Sequence, residues 1–156
     1  MRNDPGPQTH ARLDLDRFLP YKLSVLSNRV SDAIARHYSE RFGLSIPEWR
    51  VMAALGNTPC LSASEVATRT AMDKVQVSRA VANLLDAGRL SRKPDAQDGR
   101  IKRLALNTRG QAIYDQIVPL ALELEARLVA MLGVEERRTL DRLIAKLMRQ
   151  VEELER

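Results

Sequence analysis

Four side chains in the middle of the chain have the types and spacing to recognise nucleic acid. Gln76, Arg79 and Asn83 fall at three- and four-residue intervals, so on a helix they share one face, while Val77, Val81 and Leu84 share the other. An arginine fork matches the O6/N7 edge of guanine, and Gln or Asn matches the N6/N7 edge of adenine, so such a face can read base pairs in a major groove. Lys74 stands where a helix N-terminus already favours phosphate. The fourth is Arg100, in the stretch PDAQDGRIKRLALN of residues 94–107. At a loop tip, an arginine can enter a minor groove, where narrow A·T-rich tracts concentrate negative potential. Asp98, two residues earlier, is placed to orient it by a charge-assisted bond. The candidate DNA-contacting residues are therefore Lys74, Val75, Gln76, Ser78, Arg79 and Asn83 on the helix, and Lys93, Asp98, Arg100 and Lys102 on the loop, with Arg103 a further phosphate candidate. A solvated helix face beside a turn with a surface ion pair would carry the same residue types.

Charge separates these readings in part. The 156 residues carry a net charge of +5. Residues 62–110 alone hold ten Lys/Arg against five acids, so the whole excess is confined to the segment just described. A confined basic surface suits a polyanion better than a diffuse excess does. The length fits one domain with a real core. One Cys excludes an internal disulfide, and neither an 18-residue apolar run nor a leader pattern is visible, so a soluble cytoplasmic protein without a membrane partner is expected.

Several elements must position the candidates. Residues 1–15 read as a disordered tail, with prolines, a glycine and His10. From about Asp16 a single long helix is expected, with Pro20 in its first turn and Leu23, Leu26, Val30, Ala33, Ile34 and His37 on one apolar face, ending at Gly43. Ser45-Ile-Pro-Glu48 and Ser62-Ala-Ser-Glu65 are capping boxes, and Asp73-Lys-Val-Gln76 is a third start of this type. Helices over 62–70 and 73–87, joined by a short turn, have the layout of a helix-turn-helix. Strands over 89–93 and 101–106 around the Pro/Asp/Gly loop add a β-hairpin, which makes the unit a winged helix. Helices then run from Thr108 to about Met131, with a kink at Pro119, and from Glu135 to near the end. The stripe Leu140, Leu143, Ile144, Leu147, Met148, Val151 and Leu154 needs a cover, which predicts a dimer built from both ends of the chain.

Val77-Ser-Arg79 with Leu84 and Gly88, then Asp98-x-Arg100, then Leu106-Asn-x-x-Gly110, make the chain resemble the MarR family of bacterial transcription regulators over roughly residues 18–150. Asn107 stands where the family usually has Thr, and both types cap a helix. The resemblance implies a mostly α fold with a small β-hairpin wing: a winged helix-turn-helix (45–107) flanked by long N-terminal (16–44) and C-terminal (108–156) dimerisation helices. It also implies a homodimer on a near-palindromic double-stranded operator, with the second helix of the motif in the major groove and the wing arginine in the flanking minor groove. Most members repress, and many release DNA when a small molecule binds between the dimerisation helices and the winged helix. Phe18-Leu-Pro-Tyr21, Leu26-Ser-Asn28 and Ile46-Pro-Glu-Trp-Arg50 are similar to a branch linked to aromatic-acid breakdown, which makes an aromatic acid or its thioester the expected effector.

An uncharged polar stripe, Ser24, Ser27, Asn28 and Ser31, runs beside the apolar face of the first helix, and Tyr38 and Trp49 are available as aromatic walls. These six are the candidate ligand-binding residues; close helix packing for the serines and core positions for the aromatics are the alternatives. One Cys and two distant His have no metal-ligand spacing, and Cys60 reads as a bystander. No phosphate loop, paired-carboxylate site or activated nucleophile is visible, so neither an enzyme nor a cofactor is expected. The expected function is a homodimeric repressor; an effector-independent DNA-binding protein and a winged-helix module for protein contacts are the alternatives.

Overall fold

The computed structural model describes residues 12–156, and within them seven helices and three short strands follow one another. The tail expected over 1–15 and His10 fall outside the described residues up to position 11; Leu13 and Leu15 are exposed.

The first helix, α1 (Leu19–Ala35), starts three residues later than expected, after a turn in which Arg17 N–H donates to the Asp14 carbonyl at 3.2 Å. Pro20 does lie in its first turn. The long helix expected to reach Gly43 is broken at 36–38, where the bonds tighten to i→i−3: His37 N–H to the Ile34 carbonyl at 3.0 Å and Tyr38 N–H to that of Ala35 at 3.1 Å. The break turns Tyr38 inward, leaving it 1% exposed against Trp49, and turns His37 out to solvent, so His37 is not on the apolar face. A single turn, α2 (Ser39–Phe42), then ends at Gly43, whose φ of 59° is the left-handed conformation that glycine adopts without strain.

Both capping boxes form as the sequence predicts. Ser45 opens α3 (Ile46–Asn57) and Ser62 opens α4 (Ala63–Thr70), each with its Glu reaching back to the cap N–H. Asp73 caps α5 (Lys74–Asp86) by accepting from Gln76 N–H at 2.8 Å. The hairpin is β2 (Leu90–Pro94) and β3 (Lys102–Leu106). A third strand, β1 (Leu61–Ser62), which the sequence did not reveal, pairs antiparallel with the far side of β3, giving the order β1-β3-β2. Two residues are too few to show a period-two pattern.

The core lies between α3, α4, α5 and the sheet. Val51, Met52 and Leu55 of α3, Val66 of α4, Val77 and Leu84 of α5, Leu104 of β3 and Ile117 are all at most 2% exposed. Ile117 belongs to α6 (Thr108–Leu128), a continuous helix with Pro119 inside it. The Asn107 carboxamide joins the two halves: Oδ1 accepts from Gly110 N–H at 2.9 Å, and Nδ2 donates to the Gly88 carbonyl at 2.9 Å. Nδ2 also donates to the Leu90 carbonyl at 3.4 Å, and a threonine hydroxyl, with a single proton, could not make both of these donor contacts. By contrast α1 and the last helix, α7 (Val134–Leu154), bury no residue.

Candidate nucleic-acid interface

The turn between α4 and α5 sets the angle at which α5 leaves the core. Ala71 adopts φ 53°, and Met72 is buried as its N–H donates to the Ala67 carbonyl at 3.2 Å. From there α5 inserts Val77, Ala80, Val81 and Leu84 into the core. Lys74, Val75, Gln76, Ser78 and Arg79 are left exposed, and the 59% exposure of Val75 places an apolar side chain on the outward face.

Asn83, though exposed, also bonds inward. Its Nδ2 donates at 2.9 Å to Oε1 of Glu48, the one acidic side chain buried in the described core, whose Oε2 accepts from Ser45 N–H at 2.9 Å. A buried carboxylate needs partners. Asn83 supplies one and ties α5 to the start of α3.

In the wing, Asp98 acts on the backbone rather than on the guanidinium. Its Oδ1 accepts from Arg100 N–H at 3.0 Å and its carbonyl from Ile101 N–H at 2.9 Å, closing the turn that carries Arg100. Among the described residues Arg100 makes no ion pair, so its charged end is free at the tip. Lys93 is exposed on β2, and Lys102 Nζ donates to the Gly99 carbonyl at 3.0 Å.

Arg103, also expected to face phosphate, is turned the other way. Its Nε lies 2.6 Å from Asp95 Oδ2 and its Nη1 2.6 Å from Glu65 Oε2. The Arg103 bond, then the N–H groups of Asp98 and Gln97, hold the Asp95 carboxyl down at about 2. Glu65 is lowered too, chiefly by the Ser62 N–H, and Arg103 is raised, chiefly by Asp95. Cys60 is exposed at φ 64°, and its carbonyl accepts from Arg103 Nη1 at 3.4 Å.

The six candidate ligand residues are not brought together. Asn28 and Ser31 line a cleft of about 320 Å³ with Asp32, Ile46, Pro47, Arg50, Met72 and Gln76. Ser24 and Ser27 are exposed on α1 outside it. Tyr38 and Trp49 instead pack with Tyr114 in an aromatic row, Tyr38 tilted against Trp49 at a centroid separation of 5.6 Å and Trp49 stacked on Tyr114 at 5.9 Å. Burial, against the opposing charge of Arg50, pushes the Tyr38 hydroxyl up to about 12. The residue that sequence reasoning missed is Arg50, which donates to Ser31 Oγ at 3.1 Å from the cleft wall. Only its place in the Ile46-Pro-Glu-Trp-Arg50 string had drawn attention to it. A second, apolar cavity of about 720 Å³ lies between α1 and α6, lined among others by Leu26, Val30, Ile34, Leu122 and Leu128.

This geometry can be set beside known proteins. The MarR family model matches residues 42–101, from the end of α2 through the wing tip. Over those residues the chain is similar to the MarR family. The likeness extends beyond that segment. An HTH-type transcriptional repressor from Mycobacterium tuberculosis (strain H37Rv) is 28% identical over 131 residues, covering 83% of this chain and 91% of that protein. The crystal structure of a MarR/EmrR family transcriptional regulator from Acinetobacter sp. ADP1 superposes with a TM-score of 0.83 at 25% identity, covering 90% of this chain and 99% of that one. S. aureus MepR, solved as a DNA complex, shares the fold with a TM-score of 0.77 at 20% identity, over 87% and 98% of the two chains. These similar proteins are transcriptional regulators. No described helix is long and apolar enough to cross a membrane, and no described His/Cys/Asp/Glu group could hold a metal.

Proposed function

We propose that the protein is a cytoplasmic, homodimeric, sequence-specific DNA-binding regulator, a repressor in which residues 45–107 bind a near-palindromic operator and residues 16–44 and 108–156 form the dimer. The observation that carries this reading is α5: a helix whose apolar side is fully used by the core, yet which presents Lys74, Val75, Gln76, Ser78 and Arg79 outward, next in sequence to a wing ending in an unpaired Arg100. Gln76 and Arg79 suit base edges and Val75 suits a thymine methyl group, while Lys74, Lys93 and Lys102 suit phosphates. Dimerisation is supported by α7, whose Leu140, Leu143, Ile144, Leu147, Met148 and Val151 are 42–60% exposed in the single chain.

The effector reading rests on the cleft that Arg50 shares with Gln76. A small aromatic acid or thioester paired with Arg50 would touch the first turn of α5, the part that meets DNA. Asp32 on the same wall disfavours a second anion, and this observation favours an effector-independent binder as the second reading.

Binding of the full-length protein to a palindromic promoter duplex over a salt series tests the first claim. A dimer neutralising several phosphates gives a steep negative slope of about −0.9 per phosphate, whereas the absence of saturable binding rejects a DNA-binding role. Thermal-shift screening of aromatic acids and their thioesters tests the second. A ligand at 100 times its Kd adds roughly 2.7 kcal/mol, and Arg50→Met should abolish that gain. No shift with any compound supports the effector-independent reading.

A further inference from the structure

The bonds around Arg103 form one connected path from the first helix of the helix-turn-helix to the tip of the wing. Glu65, in the first turn of α4, accepts from Ser62 N–H at 2.7 Å and from Arg103 at 2.6 Å with the same carboxylate oxygen, Oε2. Arg103 sits on the central strand β3, opposite Ser62 of β1 and Lys93 of β2. Its Nε passes to Asp95 Oδ2, and the other oxygen of Asp95 accepts from the N–H groups of Gln97 and Asp98, at 2.8 and 3.0 Å. Asp98 in turn fixes the N–H of Arg100. Every link from α4 to the arginine at the tip is thus a hydrogen bond or a strand pairing, and two of the links carry full charges.

We propose that Arg103 is the positioning residue of the wing: held between Glu65 and Asp95, it sets where Arg100 stands relative to α5, and so sets the preference for sequence flanking each half-site. The proposal rests on the DNA-binding reading for its consequence, but the clamp itself does not. Arg103 is half-buried and its two forks are taken by carboxylates, so it does not add a free cation to the surface. Removing Asp95 makes the wing more positive. Simple electrostatics then predicts tighter binding to all duplexes, while loss of the clamp predicts poorer discrimination between them.

The test uses the full chain and two variants, Arg103→Met, which keeps an apolar stem, and Asp95→Asn. Amide hydrogen exchange in the free protein reads the clamp without DNA. Both variants should speed exchange at Gln97, Asp98 and Arg100 by about tenfold relative to the amides of α5, and unchanged rates overturn the proposal whatever happens with DNA. Binding to duplexes selected from random sequence, then rebuilt with A·T or G·C flanks, reads the consequence. Both variants should lose about tenfold in flank preference, while Arg103→Met leaves the salt slope unchanged where Arg100→Ala lowers it by about one phosphate per subunit. Faster exchange with flank preference intact, or a slope lowered by Arg103→Met, overturns the positioning role. If the parent selects no duplex, the DNA-binding reading fails while the exchange measurement still decides the clamp.

Discussion

Asn83→Ala separates a base-reading residue from a structural tie. Asn83 donates at 2.9 Å to a Glu48 carboxylate that is 8% exposed as a residue and whose other oxygen is committed to Ser45 N–H. Hydrogen bonds to charged groups contribute about 1.5–3 kcal/mol, and a buried acceptor left without its donor costs more than a solvated one. Because Asn83 itself is exposed, water can replace part of the lost contact, so the lower end, about 1.5 kcal/mol, is expected. For a chain of this size that corresponds to a fall of about 3–6 °C in Tm. Urea and thermal unfolding at one fixed protein concentration measure it, since a dimer's stability depends on concentration. Asn83→Ala should also leave the selected half-site sequence as in the parent. A stability change below about 0.5 kcal/mol, together with an altered half-site, would show that Asn83 reads a base and that the Glu48 contact is incidental.

Gly110→Ala would place a Cβ 2.0 Å from the Arg89 carbonyl oxygen, a backbone atom that cannot yield cheaply, so a loss of about 3 kcal/mol in urea unfolding is expected. Leu84→Ala, at a position 1% exposed, should cost about 2–5 kcal/mol by the same assay. The Asp95 carboxyl is depressed from 3.8 to about 2, so the stability it contributes is present above its unfolded value and lost as pH falls towards 2. Protection of the Gln97 and Asp98 amides should therefore survive to about pH 3 in the parent and be insensitive to pH over this window in Asp95→Asn. Leu143→Glu with Leu147→Glu should convert a dimer to a monomer in sedimentation analysis, and an unchanged mass would remove α7 from the dimer account.

Features set by neighbours in sequence were legible before the structure. The caps at Ser45, Ser62 and Asp73 and the stop at Gly43 are local hydrogen-bond or dihedral requirements, and each lies where the residue types place it. The hairpin was legible because Leu104 and Leu106 alternate and Asp98-Gly99 turns. What the sequence hid was set by contacts distant along the chain. The break at 36–38 follows from Tyr38 packing on Trp49, eleven positions on, which no helical periodicity reveals. Strand β1 exists only because β3 offers it an edge. Arg103 and Asn83 have the types expected of DNA contacts, and their partners Glu65, Asp95 and Glu48 lie 38, 8 and 35 positions away. In the ligand stripe, helical spacing grouped four residues by angle, but only Asn28 and Ser31 are far enough along α1 to meet α3.

The central claim is that α5 reads each half-site while the wing reads its flank, and it is tested most directly by selecting duplexes from a random pool with the parent, Arg79→Ala and Arg100→Ala. The parent should select a near-palindrome with A·T-rich flanks. Arg79→Ala should relax positions inside each half-site at a cost of about 1–3 kcal/mol, and Arg100→Ala should relax only the flanks. Identical selected sequences for all three proteins would contradict the account.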